Sequence, residues 1–386
     1  MDKVYLDHAA TTPVFPEVAE AMYDILLHHH GNPSSPHFCG RDAKGYLDEA
    51  RGQVAALIGA APEEIFFTSG GTEADNIAVF GSAAAAGDKK HVITSAVEHH
   101  AVLDSCQELA RLGYDLTVLP VDAYGLVHVE DLQASLRPDT FLVSIMHANN
   151  EVGSVNPIKE LAAAAHQAGA LFHVDAVQSV GKIPVNVTDL DVDMLTYSSH
   201  KINGPKGVGA LYKRQDVPIC RRVFGGGQER QLRSGTENMP GIVGFGKAAA
   251  LTAQRWQAEM AECRRLRDLL VELTLTRIPH SRLNGHPTQR LPHNANLSFD
   301  YIEGEALLLY LDLAGVACSA GSACSSGSST PSHVLTAMGL EDRWLHSALR
   351  FSLGYGVTEE QIRYTAQLLQ EKVEQLRMAS PFYQGK

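Results

Sequence analysis

Two glycines separate an apolar run from a helical pattern in residues 68–73, Thr-Ser-Gly-Gly-Thr-Glu. Backbone N–H groups at the start of a helix, together with the positive end of the helix dipole, bind anions, so Gly71 and Thr72 suit a phosphate group. A glycine-rich turn with Thr72 as the helix N-cap is an equally common interpretation. The segment lacks the GxGxxG spacing of dinucleotide-binding folds, which argues against a nicotinamide cofactor.

A carboxylate and a lysine follow two further apolar runs. Residues 171–175 read as a strand that ends on Asp175, Ser198 ends another predicted strand, and His200 and Lys201 follow it. A buried carboxylate can keep a pyridine nitrogen protonated, and a lysine can form a Schiff base with an aldehyde, as pyridoxal 5′-phosphate (PLP) chemistry requires. Singly, Asp175 could be a helix cap and Lys201 a solvated charge. Because the phosphate turn and both residues occur in order on strand ends, we expect a PLP site, with Ser198 and His200 near the phosphate.

A histidine pair and a cysteine complete the reactive set. His99 and His100 follow a predicted strand, and one imidazole could stack on the pyridine ring and move protons. Adjacent side chains diverge and no HExxH or CxxC partner is present, so we expect no metal site. Cys324 lies in the Ser- and Gly-rich segment 319–332, where a thiol can be exposed and readily deprotonated, although an inert loop cysteine is the alternative. We do not expect a disulfide with Cys318, because the spacing matches no redox motif.

These side chains are positioned by an alternation of short apolar runs and longer helical patterns. We predict strands over residues 64–68, 91–95, 116–120, 141–146, 171–175, 194–198 and 207–212, and helices over residues 73–86, 101–112, 132–136 and 158–168. The alternation predicts an α/β fold with a mainly parallel sheet that binds ligands at the carboxyl ends of its strands. A long charged helix over residues 243–277 then leads to a smaller α+β region that ends in a helix over residues 359–378.

Composition limits the class of protein. The 386 residues suit two domains, and the net charge of −12 argues against direct binding to nucleic acid. The first residues contain no apolar signal segment, and no run of about 18 apolar residues occurs, so we expect no membrane span and a cytoplasmic protein. Six thinly spread cysteines then read as reduced thiols rather than a disulfide framework.

Motifs along almost the whole chain resemble the cysteine desulfurases of the NifS/IscS type, which are PLP enzymes of the class V aminotransferase family. The matching segments are residues 5–12, 31–35, 68–73, 147–153, 198–201, 233–236, 321–324 and 349–352. The resemblance implies a fold type I PLP-dependent transferase with a mainly parallel seven-stranded large domain over residues 15–255. It also implies a homodimer and a smaller α+β domain, formed by residues 1–14 and 256–386, that contains the catalytic cysteine loop.

The resemblance also implies roles for individual residues. The residues implied to bind PLP are Gly71, Thr72, His99, Asn150, Asp175, Gln178, Ser198, His200, Lys201 and, from the second subunit, Thr236. Lys201 would hold the cofactor covalently, Asp175 would pair with the pyridine nitrogen, and His99 would stack on the ring. Arg350 would bind the substrate carboxylate through its planar fork, with help from Asn32. Lys201, His99 and Cys324 would be the catalytic residues.

The implied activity is the conversion of L-cysteine to L-alanine, with transfer of the sulfur to Cys324 as a persulfide. The sulfur would then pass to a protein acceptor, either an iron–sulfur scaffold or a tRNA thiolation enzyme, and Cys324 could hold an iron–sulfur cluster transiently. Cys318 stands where small residues are usual in the family, which would allow a second sulfur acceptor, and His100 stands where a lysine is frequent. The alternatives are a selenocysteine lyase, another class V aminotransferase, or a non-enzymatic cluster scaffold, and the scaffold would leave Lys201 and Asp175 unexplained.

Overall fold

The structure, a computed structural model, describes residues 3–320, 331–381 and 383. It begins with a short strand, β1 (Val4–Tyr5), and two helices, α1 (Pro16–His28) and α2 (Phe38–Ala56). Pro16 occupies the first turn of α1, where its missing N–H breaks no helical hydrogen bond. The predicted helices include neither α1 nor α2, and three glycines within α2 lower its intrinsic helix propensity.

Seven strands form the main sheet. In chain order they are β2 (Ile65–Thr68), β3 (His91–Ser95), β4 (Asp115–Leu119), β5 (Thr140–Ser144), β6 (Leu171–Asp175), β7 (Met194–Ser198) and β8 (Gly209–Lys213). Their order across the sheet is β2-β8-β7-β6-β5-β3-β4. The pairs are parallel except for the two made by β8, which runs antiparallel to β2 and β7. The predicted α/β fold with a mainly parallel seven-stranded sheet is confirmed.

Helices connect these strands and cover both faces of the sheet. They are α3 (Gly71–Ala85), α4 (His100–Arg111), α5 (Val129–Ser135), α6 (Ile158–Gln167) and α7 (Val187–Leu190). Successive strand residues point to opposite faces, so Phe66 packs in the cluster with α3 and α4, whereas Phe67 packs in the cluster with α1, α2 and α6. Because both faces are covered, polar side chains find space mainly at the strand ends.

A second core forms around a smaller set of strands. The remaining strands are β9 (Ser281–Asn284), β10 (Asn294–Phe299), β11 (Val316–Ala317), β12 (Ser319–Ala320) and β13 (Leu349–Ser352). Four of them form an antiparallel sheet in the order β12-β13-β10-β9, and β11 pairs in parallel with β1. The helices that accompany them are α9 (Gly304–Leu313), α10 (His333–Ala337), α11 (Asp342–Leu345) and α12 (Glu359–Ala379). The predicted smaller α+β region is therefore present, and it includes the N-terminal strand.

One helix of 39 residues, α8 (Met239–Arg277), belongs to both cores. Phe245 near its start is buried with α1 and α2, whereas Leu266 and Leu270 near its end are buried with β10 and α12. The helix therefore links the two cores, while the predicted limits of the large domain (15–255) and of the small domain (1–14 and 256–386) stay a prediction. No helix among residues 3–320 and 331–381 is long and apolar enough to cross a membrane.

Candidate active site

A cavity of about 290 Å³ lies at the carboxyl ends of β6 and β7. Its lining residues are Ala9, Ala10, Gly71, Thr72, Asp75, His99, Met146, Asn150, Asp175, Val177, Gln178, Ser198, His200, Lys201 and Arg350. Ten of the thirteen residues predicted for the site are among them. Asn32 and Thr236 are exposed and do not line this cavity. Cys324 lies outside the described residues.

The predicted phosphate turn closes one end of the cavity. Thr68 Oγ1 donates to the carbonyl oxygen of Gly70 at 2.9 Å, and α3 begins at Gly71. A Cβ atom on Gly71 would come within 2.9 Å of Cγ2 of Val177, so the glycine allows the helix to start this close to the end of β6. Ser198 Oγ is buried and has no hydrogen-bond partner in the described part of the chain. The chemistry of the first turn of α3 and of this hydroxyl suits the binding of an anion.

Asp175 is the last residue of β6 and is 6% exposed. Its Oδ1 accepts the N–H of Val177 at 2.9 Å. Burial raises the pKa of Asp175, while the charges of His99 and Lys201 and the Val177 hydrogen bond act in the opposite direction. Asp75 on α3 is 1% exposed and lines the same cavity, and burial beside Asp175 raises its pKa well above the usual value. Two buried carboxyl groups in one cavity favour a ligand with a cationic group.

His99 and Glu98 lie between β3 and α4. His99 caps α4, since its Nδ1 accepts the N–H of Ala101 at 3.1 Å. Glu98 is fully buried, and burial raises its pKa to about 8, although Ser95 and the backbone N–H of Met146 donate to its Oε1 at 2.6 and 3.0 Å. His99 therefore lines the cavity at a position fixed by the helix cap and by the hydrogen bonds of its neighbour Glu98.

Lys201 ends a short 3₁₀ helix after β7, Ser199–Lys201. Its Nζ donates to the carbonyl oxygens of Ala9 and Ala10 at 2.6 and 2.7 Å. The Gln178 amide also donates to Ala9, at 3.0 Å. Burial and the neighbouring Lys201 charge lower the pKa of His200 to about 4, so its ring is neutral near pH 7. Lys201 and Gln178 therefore both donate hydrogen bonds to the backbone of the segment that follows β1.

Arg350 lies on β13 and brings the second core to the cavity. It is 2% exposed, and its Nη1 donates to the carbonyl oxygen of Asn150 at 2.9 Å. Its Nη2 forms an ion pair with Asp7 Oδ1 at 2.8 Å. A buried guanidinium at the cavity wall suits the recognition of a carboxylate.

The lining includes five residues that the sequence analysis does not assign to the site: Ala9, Ala10, Asp75, Met146 and Val177. Residues 5–12 form one of the matching motifs, so the position of Ala9 and Ala10 in that motif was the available signal. Asp75 stands three residues after Thr72 on α3, which places both on one face of the helix. Met146 and Val177 could not be recognised as site residues from the sequence, because apolar residues at strand ends usually belong to the core.

Comparisons with known proteins agree with this arrangement. The family model described as "Aminotransferase class-V" matches residues 4–364. The cysteine desulfurase IscS of Dictyoglomus turgidum is 50% identical over 383 residues, which are 99% of this chain and 97% of that protein. The cysteine desulfurase IscS of Methanosarcina thermophila is 49% identical, over 98% of this chain and 94% of that protein.

A solved structure of a NifS-like protein superposes with a TM-score of 0.91 at 38% identity and covers 97% of this chain and all of that chain. The likeness extends over both cores, and it confirms the fold type I architecture predicted for the chain. The chain belongs to the class-V aminotransferase family, and within that family to the cysteine desulfurases.

Proposed function

We propose that this chain is a PLP-dependent cysteine desulfurase that converts L-cysteine to L-alanine and transfers the sulfur to Cys324. The main support is one cavity in which Lys201, Asp175, His99 and Arg350 meet, although Lys201 and Arg350 are 149 residues apart in the sequence (350 minus 201). Full-length relatives at about half identity have the same activity in their names.

The described residues fit PLP, which is the cofactor of this family. The phosphate would be bound by the first turn of α3, at Gly71 and Thr72, and by the otherwise unpaired hydroxyl of Ser198. Asp175 would pair with the pyridine nitrogen and His99 would stack on the ring, while Gln178 and Asn150 would approach the ring hydroxyl. When bound, PLP supplies an electron sink for bonds at the substrate α-carbon.

Lys201 and Arg350 would handle the substrate. Lys201 would hold the cofactor covalently through its amine and, once substrate has displaced it, would remove the proton from the α-carbon of L-cysteine. The carbonyl oxygens of Ala9 and Ala10 accept hydrogen bonds from its Nζ, so they limit where the amine can move. Arg350 would bind the substrate carboxylate and orient the α-carbon toward Lys201.

Cys324 would receive the sulfur. Its thiolate would attack the substrate sulfur, a new S–S bond would form, and the electron pair of the broken C–S bond would remain on carbon. Protonation of that β-carbon, together with return of the proton from Lys201 to the α-carbon, gives L-alanine and leaves a persulfide on Cys324. A protein acceptor, either an iron–sulfur scaffold or a tRNA thiolation enzyme, would then take the outer sulfur.

The functional unit would be a homodimer. Several apolar side chains of the last turns of α1 and the first residue of α2 are exposed, at Tyr23, Leu26, Leu27 and Phe38. A groove of about 600 Å³ between α3 and α4 reaches Thr72 and His99 at the edge of the active site. This groove would accept the exposed Thr236 loop of a second copy, which would complete the phosphate site.

The test is L-cysteine-dependent production of sulfide and alanine by purified, PLP-loaded protein in the presence of a reducing thiol. Cys220→Ala is a matched control, because Cys220 is an exposed cysteine outside the active-site cavity. We expect equal amounts of both products from wild type and Cys220→Ala and neither from Cys324→Ala. Turnover by Cys324→Ala would favour a selenocysteine lyase or an aminotransferase, and a protein that binds no PLP would refute the proposal.

A further inference from the structure

Within the segment Asp7–Thr12, Ala9 and Ala10 contact Lys201, and Asp7 makes a separate contact with the active site at Arg350. The backbone of the segment pairs with β13, because His8 N–H donates to Ser352 O at 3.2 Å and Ser352 N–H donates to Leu6 O at 2.8 Å. Asp7 itself forms an isolated parallel bridge with Ser352. Tyr5 donates its hydroxyl hydrogen to the carbonyl oxygens of Asp7 and Thr11, at 3.1 and 2.8 Å. The position of the segment is therefore determined by the backbone of β13.

The pairing brings the Asp7 carboxylate beside Arg350, two residues before Ser352 on the same strand. Oδ1 of Asp7 accepts a hydrogen bond from Nη2 of Arg350 at 2.8 Å, and Asn150 O accepts one from Nη1 at 2.9 Å. The Asp7 side chain is 18% exposed and that of Arg350 is 2% exposed, so the ion pair is largely shielded from solvent. The guanidinium has five N–H donors, and these two contacts leave each Nη with one further N–H.

We propose that Asp7 is a positioning residue for substrate binding, which holds the Arg350 guanidinium in the orientation that pairs with the carboxylate of an amino-acid substrate. The proposal rests on the proposed function, since it takes Arg350 as the carboxylate-binding group. Two parallel N–H···O bonds require a defined plane and direction of the guanidinium. Held at Nη2 by Asp7 and at Nη1 by Asn150, the guanidinium has that direction before substrate arrives, and preorganisation of this kind lowers the cost of binding.

A competing effect has the opposite sign. Loss of the Asp7 charge would make the surroundings of Arg350 more positive and would strengthen its attraction for an anion. We expect orientation to dominate, because Arg350 is buried and would turn toward another acceptor once its counter-charge is gone. The Nε of Arg350 already lacks a hydrogen-bond partner in the described structure, so this side of the group offers no alternative support.

The test uses PLP-loaded wild type, Asp7→Ala and Asp7→Asn, titrated with L-alanine, the product, while the visible absorption band of the bound cofactor is followed. L-Alaninamide, which has no carboxylate, is titrated in parallel. Loss of a charge-assisted hydrogen bond predicts about tenfold weaker L-alanine binding by Asp7→Ala, with little change for L-alaninamide. Asp7→Asn keeps an acceptor oxygen and should recover part of the affinity. With L-cysteine, KM should rise while kcat stays close to that of wild type.

Asp268→Ala is the control. Asp268 forms an ion pair with buried Arg267 at 2.6 Å, and neither residue lines the cavity. We expect it to change thermal stability without changing either binding constant. Equal weakening for both ligands, unchanged L-alanine binding or tighter L-alanine binding would overturn the proposal, and Asp7→Asn provides the test if Asp7→Ala does not fold. If wild type makes no sulfide from L-cysteine while L-alanine binding still depends on Asp7, the proposed function fails and this inference stands.

Discussion

Replacing Gly209 with alanine is expected to weaken PLP binding by displacing the phosphate turn. Gly209 is the first residue of β8 and lies between Thr68 of β2 and Ser198 of β7. A Cβ atom at this position would lie 2.7 Å from the carbonyl carbon of Gly70, 2.9 Å from its Cα and 3.0 Å from the nitrogen of Gly71. All three are backbone atoms, so no side-chain rotation can relieve the contact.

The size of the effect follows from these distances. Ordinary contact begins near 3.4 Å, so the backbone must separate by 0.4 Å (3.4 minus 3.0) at Gly71 and by 0.7 Å (3.4 minus 2.7) at Gly70. Overpacking of this kind costs about 1–3 kcal/mol. If the turn moves away in the free protein, PLP must force it back, and at about 1.4 kcal/mol per tenfold the dissociation constant rises by about 5- to 150-fold.

The assay is equilibrium binding of PLP to the apoprotein, with thermal melting of the same samples to confirm folding. Gly52→Ala is the matched control, because Gly52 lies inside α2 and an added Cβ would meet no atom within 4 Å. Alanine there should be neutral or stabilise the helix by about 0.5–1 kcal/mol. A folded Gly209→Ala protein with wild-type PLP affinity would refute the reasoning, since it would show that β8 yields and the phosphate turn does not.

Three further substitutions test other contacts. Cys318→Ser should leave sulfide production within about twofold of wild type, because burial raises the pKa of this thiol and keeps it protonated; a large loss would identify a second sulfur acceptor. Buried Arg51 is 2.7 Å from both carboxylate oxygens of Glu229 and would lose its counter-charge in Glu229→Gln. We expect this substitution to lower the free energy of unfolding by about 3–5 kcal/mol in denaturant melts, and an unchanged midpoint would contradict this. The hydrogen bond to Asp193 raises the pKa of His166. The difference in free energy of unfolding between wild type and His166→Asn should therefore be largest below about pH 6.5 and decrease as pH rises through the raised pKa. Equal differences at about pH 6 and about pH 9 would refute this assignment.

Long, strongly patterned elements could be predicted from the sequence. The predicted strands over residues 171–175 and 194–198 coincide with β6 and β7, and the predicted helix over residues 158–168 differs from α6 by one residue. Both strands consist mainly of large apolar side chains with a polar residue at the carboxyl end, because both faces of the sheet are buried. The strands β9 to β13 were not predicted individually, and four of them have only two to four residues, which are too few to establish a period.

The active-site residues divide in a similar way. Asp175 and Lys201 could be found because each follows an apolar strand, and the order of such strand ends along the chain indicates which of them meet. Asp7 could not be assigned by local reasoning, because its partner Arg350 is 343 residues away and on the strand of another core. Asp75 was missed for a different reason, since an acidic residue in the first turns of a helix is usually a solvated charge.

The fold class and the chemical character of Lys201 and Asp175 could be predicted because they depend on residue type and on neighbours close along the chain, and the phosphate turn stays a prediction of the same kind. The folded chain, and no local pattern, places the segment after β1 where it supports Lys201 with two carbonyl oxygens and Arg350 with a carboxylate. These contacts form because β1 and β13 belong to the second core, and this core places Asp7 and Arg350 beside the edge of the main sheet. Their geometry depends on the packing of both cores, which no local pattern encodes.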